Sequence, residues 1–124
     1  MGVTRVADTT VEILRDAGVT RVYGIPGDSL NGFTDAIRRS DGVSWEHVRH
    51  EEAAAFAASA DVASADAALT GQLAVCAGSW GPGNTHLING LYDANRSRVP
   101  VPAQARCALA RCPTFVTNVA LTRL

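Results

Sequence analysis

Three times along this chain a short apolar segment runs into a turn and then into a helix-forming stretch. Arg21 to Ile25 (R-V-Y-G-I) is followed by the turn Pro26 to Ser29 and a helix from Leu30 to Arg39. Val43 to Val48 (V-S-W-E-H-V) alternates like a strand and precedes a long helix from Glu51 to about Leu69. Gln72 to Ala77 (Q-L-A-V-C-A) is wholly apolar and leads through Gly78 to Gly83 into a helix over Asn84 to Asn95. Asp28 or Ser29 can cap the helix after the first turn. A helix from Asp8 to Ala17 precedes this series, with Val11, Ile13, Leu14 and Ala17 mostly on one side and Gly18 to stop it. Val99-Pro100-Val101 would begin a fourth strand. Strands that alternate with helices predict an α/β fold: a parallel sheet of about four strands with crossover helices on both faces, an incomplete doubly wound domain. Ligands of such sheets bind beyond the carboxyl ends of the strands. Both glycine-marked turns fall there, and so does Glu51.

Composition bounds the partners. The 124 residues suffice for one domain. Hydrophobic residues make up 47%, many of them alanine, so helices can approach a sheet or one another closely. Net charge is -1, and the longest basic run is Arg38-Arg39, which argues against a nucleic-acid partner. No apolar run approaches the roughly 18 residues of a membrane span. The amino terminus lacks the apolar stretch of a signal peptide, and Val6 stands where an acylation site wants serine or threonine. Three cysteines without an export signal read as reduced thiols in a cytoplasm. Cys107 and Cys112 have no nearby histidine to complete a zinc set, so no metal site is expected.

Glu51 and Glu52 are the candidate carboxylates. Spacing alone explains them as first-turn acids that interact well with a helix dipole. They point about 100° apart around the helix. Neither G-P-G at Gly81 to Gly83 nor G-I-P-G at Gly24 to Gly27 has dinucleotide-binding spacing, so both read as tight turns. His86 alone on a helix is more often structural than functional.

Taken together, R-H-E-E-A-A-A-F-A-A (Arg49 to Ala58), G-S-W-G-P-G-N-T-H (Gly78 to His86), G-D-S-L-N-G (Gly27 to Gly32) and L-I-N-G-L-Y-D-A-N-R (Leu87 to Arg96) resemble a known domain. It is the pyrimidine-binding domain of thiamine-diphosphate enzymes, in the pyruvate oxidase and quinone-dependent pyruvate dehydrogenase branch of the acetolactate synthase superfamily. The resemblance runs from about Val6 to Val101. It implies that Glu51, which directly follows R-H, hydrogen-bonds a ring nitrogen of the cofactor's aminopyrimidine and favours its imino form. Apolar surroundings disfavour charge on such a carboxylate, and Ala53, Ala54, Ala55 and Phe56 would supply them. Glu52 is then a surface or supporting acid. The resemblance further implies that the backbone of Gly81, Pro82 and Gly83 packs against the ring and that His86 faces the cofactor region. Pro26 and Gly27 would lie near the pyrimidine, Trp80 would crowd its pocket, and Tyr92, Asp93 and Arg96 would serve the fold.

The implied role is the aminopyrimidine side of a shared thiamine diphosphate site in a pyruvate oxidase-like oxidoreductase that decarboxylates a 2-keto acid such as pyruvate. The intact enzyme would add Mg2+ and FAD in other domains, would be a homo-oligomer, and would be cytoplasmic or membrane-peripheral. No G-D-G…N diphosphate motif occurs here, so this chain is expected to be inactive alone and to need a subunit carrying the diphosphate-binding domain. Two alternatives are a separate small subunit of a two-chain decarboxylase and a non-catalytic α/β interaction module.

Two departures stand out. A-S-A-D-V (Ala58 to Val62) is followed by A-S-A-D-A (Ala63 to Ala67), where relatives have a shorter helix. Five extra residues turn a helix by about 140° beyond a full turn, so a bulge or loop is expected near Asp61 to Asp66. After Val101 the resemblance stops. Pro102 interrupts the strand, and Arg106 and Arg111 would enter the core. Residues 1–101 therefore read as a partial domain and 102–124 as a divergent tail, frameshifted or disordered. A sheet stopped at its fourth strand would expose an apolar edge and leave the isolated chain unstable.

Overall fold

The computed structural model describes residues 5–64, 71–105 and 116–117. Helix α1 spans Val6–Asp16, and Gly18, with φ at +86°, turns the chain out of it. Ala7, Val11 and Leu14 form its inward stripe at the helical spacing of four and three residues. Ile13 lies about 200° from Val11 on the helix. It is 63% exposed, contrary to the inward position expected of it.

Strand β1, Arg21–Gly24, leads through a single 3-10 turn at Asp28–Leu30 into α2, Asn31–Arg39. Leu30, not Asp28 or Ser29, stands at the cap position of that helix, without a side-chain hydrogen bond. Ser29 pairs its hydroxyl with Ser79 at 2.8 Å. Strand β2, Ser44–His47, precedes α3, Glu51–Val62. The helix ends seven residues before the Leu69 expected of it, with Ala63 as its cap. Of the bulge or loop expected near Asp61 to Asp66, Asp61 and Val62 are still helical, Ala63 and Ser64 have left the helix, and 65–70 lie outside the described residues. Strand β3 is Val75–Gly78. The helix expected over Asn84 to Asn95 is two: α4, Pro82–His86, and α5, Ile88–Arg96, with buried Leu87 between them. Pro82 opens α4, where its missing amide hydrogen is not needed.

Strands β1 to β4 are parallel in the order β2-β1-β3-β4. The fourth strand starts later than expected, at Ala103–Ala105. Pro102 stands just before it, so the strand is not interrupted. The Pro102 carbonyl accepts from the Cys76 amide at 3.1 Å, a bond that proline can still make. β5, Val116–Thr117, lies antiparallel along the outer side of β4. Arg106 and Arg111 lie outside the described residues.

Side chains alternate across β3, and this divides the core. Val75 and Ala77 face α1 and α2, with Val22, Leu30, Phe33 and Ile37. Ala74 and Cys76 face α3 and α5, with Ala54, Ala55, Ala58 and Leu87. Helices therefore cover both faces, as the sequence implies. On the second face the small residues allow a very close crossing. A β carbon on Gly90 of α5 would stand 2.5 Å from that of Ala55 and 2.7 Å from the Phe56 amide nitrogen of α3. Among the described residues no helix is long and apolar enough to cross a membrane.

Candidate functional site

The strand order reverses between β1 and β3, because the chain places β2 on one side of β1 and then returns to the other. A crevice opens at the carboxyl ends of strands at such a point. Two turns meet there. The Ser29 and Ser79 hydroxyls join them, and the Trp80 amide donates to Ser29 Oγ at 3.3 Å. Gly27 presses on the second turn so closely that a β carbon would stand 2.9 Å from Ser79 Oγ.

Glu51 stands beside these turns as the first residue of α3. His50 before it is extended, and its Nδ1 accepts from the Glu52 amide at 3.2 Å. That bond caps the helix and places the proton of the neutral imidazole on Nε2. The Glu51 side chain is only 13% exposed. Its Oε2 lies 3.3 Å from His86 Nδ1. Its Oε1 lies against Gly83, 2.8 Å from where a β carbon would be. The His86 ring stacks on His50, with centroids 4.5 Å apart and planes at 27°. Glu52 turns aside, and its Oε1 accepts from Asn89 Nδ2 at 3.1 Å.

Among the residues singled out from sequence, Glu51, Gly83 and His86 are in direct contact. Gly81 and Pro82 form the exposed approach to Gly83, and Gly81 has φ at +79°, a left-handed conformation natural to glycine. Gly27 reaches the site through Ser79, and Pro26 beside it is exposed. Of the four apolar neighbours expected for the carboxylate, Ala54 and Ala55 are buried, but Ala53 and Phe56 are exposed. Ala53 and Phe56 project from the outer side of α3, which explains the difference. Trp80 is half exposed. The His50 cap has no sequence signal, because helix caps favour serine, threonine, asparagine and aspartate, and nothing in R-H-E announces a capping imidazole. The Ser29–Ser79 pair joins residues fifty positions apart and has no local signal.

The far end of α3 is tied down separately. Asp61 accepts from Arg21 Nη1 at 2.8 Å and from the Tyr23 hydroxyl at 3.2 Å. Burial raises the Tyr23 phenol above its ordinary range.

Residues 4–107 match the family described as thiamine pyrophosphate enzyme, N-terminal TPP binding domain. The chain is 63% identical over 105 residues to an uncharacterized 42.6 kDa protein in the isoamylase 3' region of Pseudomonas amyloderamosa, covering 85% of this chain and 25% of that one. It is 50% identical over 94 residues to the pyruvate oxidase of Lactiplantibacillus plantarum, covering 75% and 15%. It is 32% identical over 101 residues to the glyoxylate carboligase of Escherichia coli O157:H7, covering 82% and 16%. The chain therefore spans a quarter or less of the length of these relatives.

Proposed function

The chain belongs to the thiamine pyrophosphate enzymes, as their N-terminal TPP binding domain, and from that membership we propose that it supplies the aminopyrimidine side of a thiamine diphosphate site in a pyruvate oxidase-like oxidoreductase acting on a 2-keto acid such as pyruvate. The observation that carries this reading is the position of Glu51: a mostly covered carboxylate at the strand ends, flanked by a histidine and a side-chain-free glycine.

An aminopyrimidine fits these residues. The ring needs one carboxyl oxygen in its plane and a backbone without side chains beside it. Glu51 offers the oxygen, and Gly81-Pro82-Gly83 offers the backbone. The diphosphate end does not fit. Magnesium takes carboxylate, carbonyl and water oxygens. The one group of candidate ligands among the described residues is His50, Glu51 and His86. We assign the diphosphate and its Mg2+ to another domain, on a second subunit of the intact homo-oligomer, and the FAD to a further domain of that enzyme.

When bound, thiamine diphosphate supplies the nucleophilic carbon and electron sink for decarboxylation of a 2-keto acid. The residues of this chain position and protonate. His86 Nδ1 restrains Glu51 Oε2, which leaves Oε1, beside Gly83, to share a proton with a ring nitrogen. The His50 cap fixes the first turn of α3 and so the direction of the Glu51 side chain.

The test is a chimera in which residues 4–107 replace the matching segment of the Lactiplantibacillus plantarum pyruvate oxidase. It should bind thiamine diphosphate and decarboxylate pyruvate. In the chimera, Glu51→Gln should lower turnover at least about tenfold while cofactor binding persists. Unchanged turnover in Glu51→Gln would overturn the reading.

A further inference from the structure

We propose that His50, Glu51 and His86 form a binding site for a late first-row divalent cation, represented by Zn2+. The donor chemistry differs from that of a diphosphate-bound magnesium. Two imidazole nitrogens and one carboxylate suit zinc, copper or nickel, and the same set serves zinc sites that keep one position open to water. One ligand atom from each residue lies within 4.8 Å of the other two.

The geometry is partly assembled. Donors at about 2.0–2.2 Å from a tetrahedral zinc stand roughly 3.3–3.5 Å from each other. His86 Nδ1 and Glu51 Oε2 are already 3.3 Å apart. The third donor has to come in from His50, whose ring is stacked on His86. His50 is exposed, so no core packing holds its side chain, and turning it gives up only the stack on His86 and the bond from the Glu52 amide. The His86 side chain is 42% exposed, which leaves an entry path and a place for water on the cation.

Proton accounting gives the site a further property. His50 Nδ1 accepts from the Glu52 amide, so Nε2 holds the ring proton. A cation on Nδ1 takes the lone pair that caps the helix. A cation on Nε2 drives the proton to Nδ1, which can then no longer accept. Binding through either nitrogen uncaps α3. A cation on Glu51 Oε2 also draws off charge that Oε1 would use to share a proton with a ring nitrogen, a consequence that rests on the function proposed above, whereas cation binding itself does not.

The experiment uses the full chain without thiamine diphosphate, with accessible thiols alkylated so that cysteines do not compete. Zn2+ is titrated by calorimetry and Co2+ by visible absorption. One cation should bind per chain. His50→Asn retains a good capping side chain but loses the imidazole, and should weaken binding at least tenfold. His86→Gln should do the same, and Glu51→Gln should weaken binding with the histidines intact. His47→Asn, on β2 and outside the cluster, should leave binding unchanged. No saturable binding, or an affinity unchanged in both His50→Asn and His86→Gln, would overturn the proposal. His86→Gln and Glu51→Gln leave the cap in place, so the result stands even if the His50 variant unfolds.

Discussion

Gly83 and Glu51 share one small space: the carboxylate Oε1 stands 2.8 Å from the point where a β carbon on Gly83 would lie. Gly83 is buried at the start of α4, and its conformation does not require glycine. The missing side chain therefore serves the carboxylate. In Gly83→Ala the added methyl meets the end of a flexible side chain, so Glu51 moves and the backbone stays. The expected loss of stability is at most about 1 kcal/mol, at the low end of overpacking effects. In the chimera the same change should weaken turnover through the displaced Glu51. A double-mutant cycle separates contact from fold. In a Glu51→Ala background the stability effect of Gly83→Ala should largely vanish, as seen by urea denaturation. An equal effect in both backgrounds would mean that the contact is not the cause.

Gly90 presents the opposite case, because the atoms it approaches cannot swing away. A β carbon there would be 2.7 Å from the Phe56 amide nitrogen and 2.8 Å from the Ala55 carbonyl carbon. Alanine is the better helix former by about 1 kcal/mol, which would favour Gly90→Ala in an open helix. Here α3 and α5 would have to part, and the rest of their shared core with them. Overpacking of rigid backbone should dominate, at or above the upper end of about 1–3 kcal/mol. A lower urea midpoint with an unchanged slope would record it. A midpoint at or above that of the parent would show that the crossing is looser than its distances.

The His50 cap predicts a contrast between two substitutions. Asparagine can accept from the Glu52 amide as the imidazole does, while alanine cannot. With metal held away by a chelator, His50→Ala should lose about 1 kcal/mol and His50→Asn much less. Equal losses in thermal denaturation would mean that the ring's stacking on His86, and not the cap, stabilises this end of α3.

The strands, their order of appearance and the turn positions were legible because buried parallel strands read as apolar runs and glycine marks where the chain turns back. The place of Glu51 at the start of the helix after β2 was legible from the alternation of elements. The misreadings have a common physical origin in tertiary contacts. Ile13 looks inward by composition but is exposed, because Val11 and Leu14 already define the buried stripe. Pro102 looks like a strand breaker but falls just before β4, where only its carbonyl is needed. Ser29 looks like a cap but pairs with Ser79 on the turn after β3.

Cys76 makes the alkaline side of the stability profile predictable. Its thiol is buried between β3 and α3, with Sγ 3.9 Å from the Pro102 carbonyl, and burial pushes it up from 9.0 to about 12. In the folded chain the thiol keeps its proton at a pH where the unfolded chain has lost it. Stability is therefore full below about pH 9 and falls as pH rises toward about 12. Tyr23, also raised by burial, adds a fall of the same sign beginning at higher pH. One proton corresponds to a slope approaching about 1.4 kcal/mol per pH unit. Urea midpoints measured between about pH 8 and about pH 11 should decline accordingly. Cys76→Ala should flatten the early part of that decline and leave the later part, from Tyr23, in place. An early slope unchanged by the substitution would assign the alkaline loss to other groups.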